Sequence, residues 1–221
     1  MKKITPGSAM LAGLLMASAG SASAGTVTFN DFVQYGSDAV NYVVTIDHLT
    51  DTFTVNVKIA DNSPNTGDIL GIAFDLNNGF IANNLAIKGD DIEKVGFNTL
   101  NNGGGNNFQG SGDNLFSNGT PDVLLTIGDP GSRSGLITQT SFTFASSGKI
   151  LEEVFLGTAF GIRAQSVGPG PNGGSGSSKD IAFITPDEGS PVPIPAAVWF
   201  MGTGLLGLFG FARARKTSVA A

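Results

Sequence analysis

Thr52-Phe53-Thr54-Val55-Asn56-Val57-Lys58-Ile59 alternates polar and apolar residues without a break. In a strand, successive side chains point to opposite faces. Phe53, Val55, Val57 and Ile59 therefore share one face, and Thr52, Thr54, Asn56 and Lys58 the other. One dry and one wet face mark a strand in an antiparallel sheet that covers a core on a single side. Upstream, Val40, Tyr42, Val44 and Ile46 repeat the pattern, with His48-Leu49-Thr50-Asp51 as the hairpin connection. Downstream, Leu70, Ile72, Phe74 and Leu76 form a third such face, closed by Asn77-Asn78-Gly79. Further strands are expected at Val27–Val33, Phe80–Ile87, Val123–Ile127, Leu136–Phe144, Val154–Ala164 and Ile181–Ile184. About nine short strands and no clear amphipathic helix predict an all-β fold. The architecture expected is an antiparallel β-sandwich, each sheet with one dry and one wet face.

Composition narrows the chemistry. The chain has 221 residues, 41% of them apolar, enough for one packed domain with processing segments at its ends. It has no cysteine, which excludes disulfide scaffolds, thiolate zinc sites, iron–sulfur clusters and cysteine nucleophiles. His48 is the sole histidine, so multi-histidine metal sites are excluded as well. Between residues 25 and 190 there are 18 acidic and 7 basic residues, a formal charge of −11. Such a segment repels nucleic acid, whose phosphates need cationic partners, and no nucleic-acid partner is expected.

The two ends read differently from the middle. Lys2 and Lys3 precede a short apolar stretch from Ala9 to Ala19, and Ala22-Ser23-Ala24 supplies small residues for a signal peptidase. Residues 1–24 are thus expected to be a cleaved signal peptide, with the mature chain starting at Gly25. At the other end no charged residue occurs from Gly189 to Ala212. A helix from Pro195 to Ala212 has 18 residues and spans about 27 Å, near the hydrocarbon thickness of a bilayer. Arg213, Arg215 and Lys216 follow as a positive-inside stop, and Trp199 falls near the outer interface. Gly202-Thr203-Gly204-Leu205-Leu206-Gly207 matches a dinucleotide-binding pattern. It lies within the apolar span, where glycines favour close helix packing instead.

Val192-Pro193-Ile194-Pro195-Ala196, the Gly-rich span and the basic run after it resemble the PEP-CTERM sorting signal in its VPxPA form. The resemblance covers about 30 of the 221 residues, and Ile194 stands where a glutamate usually separates the prolines. It implies recognition by an exosortase-like membrane enzyme that cleaves near the proline motif. It also implies a Gram-negative host that makes exopolysaccharide, a partner for the exported chain.

Catalytic and metal signals are weak by contrast. Glu152 and Glu153 are adjacent, so on a strand they face opposite sides and cannot flank one glycosidic bond. Asp90-Asp91 begin a turn. Gly131-Ser132-Arg133-Ser134-Gly135 has arginine where a nucleophile elbow needs serine. His48, beside Asp47 and Asp51, reads as a surface histidine. Asp61, Asn62, Asn65, Asp68 and Asp113-Asn114 offer hard oxygen ligands, but they lack the spacing of a calcium loop and serve equally as turn formers. No catalytic residue, metal site or cofactor is assigned. The Asn/Gly-rich stretch 98–122 and the Gly/Ser/Pro stretch 168–178 read as long loops.

The organisation expected is a signal peptide (1–24), a β-sandwich ectodomain (25–185), a linker with the proline motif (186–194), a transmembrane helix (195–212) and a basic cytoplasmic tail (213–221). The function expected is that of a non-catalytic, exported cell-surface or matrix protein, in transit through the inner membrane with its ectodomain in the periplasm. Its expected partners are signal peptidase, an exosortase-like enzyme, the membrane and exopolysaccharide. The alternative is a secreted carbohydrate-binding module or hydrolase on the same sandwich. Its sugar platform would use Tyr35, Tyr42 or phenylalanines, because the sole tryptophan lies in the span.

Overall fold

The computed structural model describes residues 25–77, 85–103, 107–108, 116, 119–128 and 135–185. The signal peptide, the proline motif, the apolar span and the basic tail lie outside these residues. So do Gly131–Ser134, Asp113-Asn114 and the first part of the strand expected at Phe80–Ile87. Among the described residues no helix is long and apolar enough to cross a membrane.

The fold is all-β, with two antiparallel sheets sharing one core. The four-stranded sheet has the order β1 (Gly25–Phe29), β3 (Tyr42–Leu49), β4 (Thr52–Ile59), β8 (Gln139–Ala145). The six-stranded sheet has the order β2 (Val33–Gln34), β10 (Gly176–Phe183), β9 (Ala159–Gly168), β5 (Thr66–Phe74), β7 (Val123–Ile127), β6 (Ile92–Phe97). The β3–β4 hairpin follows the alternation that announces it. Tyr42, Val44, Ile46, Phe53, Val55 and Val57 are all buried on the shared core face. The register pairs Leu49 with Thr52, which leaves a two-residue turn at Thr50-Asp51. Thr50 sits at φ 57°, in the left-handed region.

Four expectations are corrected. His48 is not a surface residue: it continues the inward phase of β3, is 4% exposed, and packs on Phe53 with ring centroids 4.7 Å apart. The Val154–Ala164 strand does not form as one element. Leu151–Phe155 is a short helix (α1), and β9 starts only at Ala159. Leu151, Val154 and Phe155 are buried while Glu152 and Glu153 face solvent, which is the i, i+3, i+4 spacing of a helix face. The two glutamates are therefore not on a strand. On β5 a register shift between Ile69 and Gly71 breaks the alternation, so that Ile69, Ile72 and Phe74 enter the shared core in place of an unbroken Leu70-Ile72-Phe74 row.

The fourth correction concerns the six-stranded sheet, whose central strands are covered on their outer face as well. All five residues of β7 are buried, and β5 is buried from Gly67 to Phe74. The cover comes from the Asn/Gly-rich stretch read as a loop. Phe108 and Phe116 pack with Ala73, Leu124, Ala159 and Ile181 in a second apolar cluster. Arg163 of β9 donates to the Asn107 carbonyl, and Asn102 Nδ2 donates to Thr126 Oγ1 at 3.3 Å. Gly161 makes room for the cover: a Cβ there would lie 2.8 Å from the Phe108 ring and 3.2 Å from that of Phe116. The central strands of this sheet thus meet apolar groups on both sides, which suits their near-continuous apolar runs.

The shared core is aromatic. Phe74 lies at its centre, with ring centroids 5.7 Å from Phe142, 5.8 Å from Phe160, 6.0 Å from Phe144 and 6.3 Å from Phe155. The chain passes between the sheets at both open sides. On one side β1 leads to β2. On the other, residues 88–91 run along the free edge of β8 before entering β6. Lys88 pairs there with Thr143 through N–H···O bonds of 3.0 and 2.8 Å.

Candidate functional site

The outer face of the four-stranded sheet carries the other half of the alternation. Antiparallel register lines its side chains up in ranks across the strands. Thr28, Thr45, Asn56 and Ser141 form one rank; Thr26, Asp47, Thr54 and Thr143 form the next. Val43, Lys58 and Gln139 form a third. Thr26 Oγ1 donates to Asp47 Oδ1 at 2.7 Å, Asn56 Nδ2 donates to Asp47 Oδ2 at 3.4 Å, and the Thr28 and Thr45 hydroxyls are 3.3 Å apart. These contacts hold the first two ranks in place along the sheet.

The Lys88–Asp91 segment turns this flat face into a groove of about 630 Å³. Its floor is Val43, Thr45, Asn56, Lys58, Gln139, Ser141 and Thr143, and its wall is Lys88, Gly89, Asp90 and Asp91. Glycine is required in the wall, because a Cβ on Gly89 would stand 2.5 Å from the Ser141 carbonyl oxygen. The lining is mainly hydroxyls and amides, with two lysines, two aspartates and the half-buried Val43. Such a surface can donate and accept hydrogen bonds, and its own charges cancel.

The candidate residues of the catalytic and metal readings are dispersed. Both ring nitrogens of His48 are buried without a hydrogen-bond partner, so no described serine is coupled to it. Asp68 accepts from the Ile137 N–H at 2.9 Å and from Gln165 Nε2 at 3.1 Å, which engages both its oxygens in holding β5 to its neighbours. Asn65 donates to the Ala39 carbonyl, and Asp61 is exposed with Lys58 3.9 Å away. Among the described residues no three His, Asp or Glu side chains are grouped to hold a metal ion. Of the aromatics named for a sugar platform, Tyr42 is fully buried, Tyr35 is partly buried against the second apolar cluster, and most described phenylalanine rings pair within the two clusters, while Phe183 at the end of β10 is 49% exposed.

One polar chain missed in the sequence crosses the core. Tyr42 of β3 lies with its hydroxyl 3.3 Å from Ser178 Oγ, and Ser178 donates to Asp180 Oδ2 on β10. Asp180 is 1% exposed, and its other oxygen has no partner. Burial raises its carboxyl from the ordinary 3.8 to about 6, against the lowering effect of the Ser178 hydrogen bond. Burial likewise pushes the Tyr42 phenol up. The signal for this chain was the polar Ser178 and Asp180 beside the apolar Ile181-Ala182 run, but its partner lies 136 residues away.

Comparison of the chain with models of known protein families, with curated proteins and with solved structures finds no match in any of the three. The functional reading therefore stands on the residues themselves.

Proposed function

We propose that the chain is a non-catalytic protein exported across the inner membrane and sorted to the cell surface or extracellular matrix by an exosortase-like enzyme. The observation that carries this reading is the three-part order at the C-terminus: Val192–Ala196, then an uncharged span to Ala212, then Arg213, Arg215 and Lys216. Moving three cations through a bilayer is costly, so this order would halt transfer with the tail inside and the proline motif on the periplasmic side. The strand framework is compatible with removal of both ends. Among the described residues its first strand begins at Gly25 and its last ends at Phe183, so cuts after Ala24 and near Pro193–Pro195 would remove no described strand residue. The formal charge of −11 between residues 25 and 190 favours a domain that stays dispersed outside the cell.

The N-terminal half of the reading has a local test. Signal peptidase accepts only small side chains next to its cut, and Ala22 and Ala24 supply them. Replacing Ala24 with phenylalanine is expected to leave a precursor larger by residues 1–24, read by immunoblot of the membrane fraction. A mature band of unchanged size would remove the assignment.

A further inference from the structure

We infer that the groove on the outer face of the four-stranded sheet is a binding site for a neutral polysaccharide. The inference deepens the exported reading, on which the biological source of the ligand rests; the groove itself is argued from its own chemistry. Charge gives the first argument. The domain is strongly acidic, yet Lys58 and Lys88 balance Asp90 and Asp91 around this groove. A polyanion would be repelled by the acidic domain, and a groove whose own charges cancel gives a polycation no net charge to anchor it; an uncharged chain needs none.

Functional-group chemistry gives the second argument. Thr45, Ser141 and Thr143 present hydroxyls, and Asn56 and Gln139 present amides. Each can both donate and accept, as the hydroxyls of a sugar do. Protein partners favour aromatic and arginine anchors, and a bilayer needs apolar ones. The groove's floor offers no aromatic and no arginine: its one half-exposed apolar residue is Val43, and Val57 and Phe142 belong to the buried core.

Spacing gives the third argument. Thr45, Asn56 and Ser141 stand on adjacent strands in one register. Adjacent strands are about 4.8 Å apart, close to the advance of one pyranose unit along a glycan. A chain laid across β3, β4 and β8 would meet one polar side chain per sugar, with the Lys88–Asp91 wall closing the far end. Recognition here would rest on hydrogen bonds without ring stacking, so single oligosaccharides would bind weakly and long polymers more firmly through repeated contacts.

The test is affinity electrophoresis of the purified full chain in non-ionic detergent. The gels would contain dextran, mannan or a mixed-linkage β-glucan, with alginate and heparin as anionic counterparts. The expected result is retardation by at least one neutral polymer and by neither anionic one. The triple variant Asn56→Ala, Gln139→Ala, Ser141→Ala should weaken that retardation about tenfold with little change in melting temperature. If the triple variant melts early, Ser141→Arg, which fills the floor from one exposed position, is the replacement. No retardation on any neutral polymer overturns the inference, as does retardation that survives the variants or appears only with the anionic polymers. None of these results depends on sorting, so failure of the groove and failure of the export reading are separately visible.

Discussion

Replacing Phe74 with alanine is expected to cost about 3–5 kcal/mol of folding free energy, the range for truncating a fully buried phenylalanine. Phe74 is completely buried, and its ring is flanked by four others, from both sheets and from α1. Alanine would leave a cavity walled by rigid aromatic rings that cannot collapse into it, which puts the loss toward the upper end. Domains are stable by only about 5–15 kcal/mol, so the variant would be near its unfolding threshold at ordinary temperature. Denaturant titration of residues 25–190, followed by the loss of strand ellipticity, measures it. Among the described residues the shared core runs from Val27 to Ile184, which is why this segment is expected to fold alone. A loss under about 1 kcal/mol, typical of a surface substitution, would contradict the two-sheet packing described.

The second large effect has the opposite sign. Asp180→Asn is expected to stabilise the domain at neutral pH by about 3 kcal/mol, an order of magnitude set by a carboxyl raised from 3.8 to about 6. The folded chain holds the Asp180 proton more tightly than the unfolded chain. The protonated form is therefore favoured in the fold, and stability falls as pH rises from about 4 to about 6 before levelling off. Asparagine mimics the protonated carboxyl, can still accept from Ser178, and carries no charge to desolvate. The difference between variant and wild type should be near zero at about pH 3 and full at pH 7, read from melting curves across that range. A variant less stable than wild type at pH 7 would show that the ionised carboxylate is used in the fold.

How much of this was legible beforehand depended on whether a residue's surroundings were local. The β3–β4 hairpin was readable because its polar face stays wet, so the alternation survives in sequence. His48 was readable by the same rule and misread: it has the parity of Tyr42, Val44 and Ile46, and parity outweighs the general preference of histidine for surfaces. The short helix at Leu151–Phe155 was also open to reading, since its apolar residues are three and four apart, but the run Val154-Phe155-Leu156 resembles a buried strand equally well. The double burial of β5, β7 and β9 was not legible. It depends on Phe108 and Phe116, two aromatics in a stretch whose asparagines and glycines announce only turns. The groove was hidden for the same reason. Its floor ranks follow from alternation once the strands are registered, but the wall exists because Lys88 meets Thr143, 55 residues on, a pairing no local pattern encodes.

The reading of the whole chain rests on its two ends, and the most direct measurement is the intact mass of the protein recovered from the surface and culture medium of its native host. The account predicts a chain that begins at Gly25 and ends within or beside Val192–Ala196, with the span and Arg213–Lys216 gone and any group attached by the sorting enzyme seen as added mass at the new C-terminus. A surface protein that still carried residues 1–24 and ended at Ala221 would contradict it.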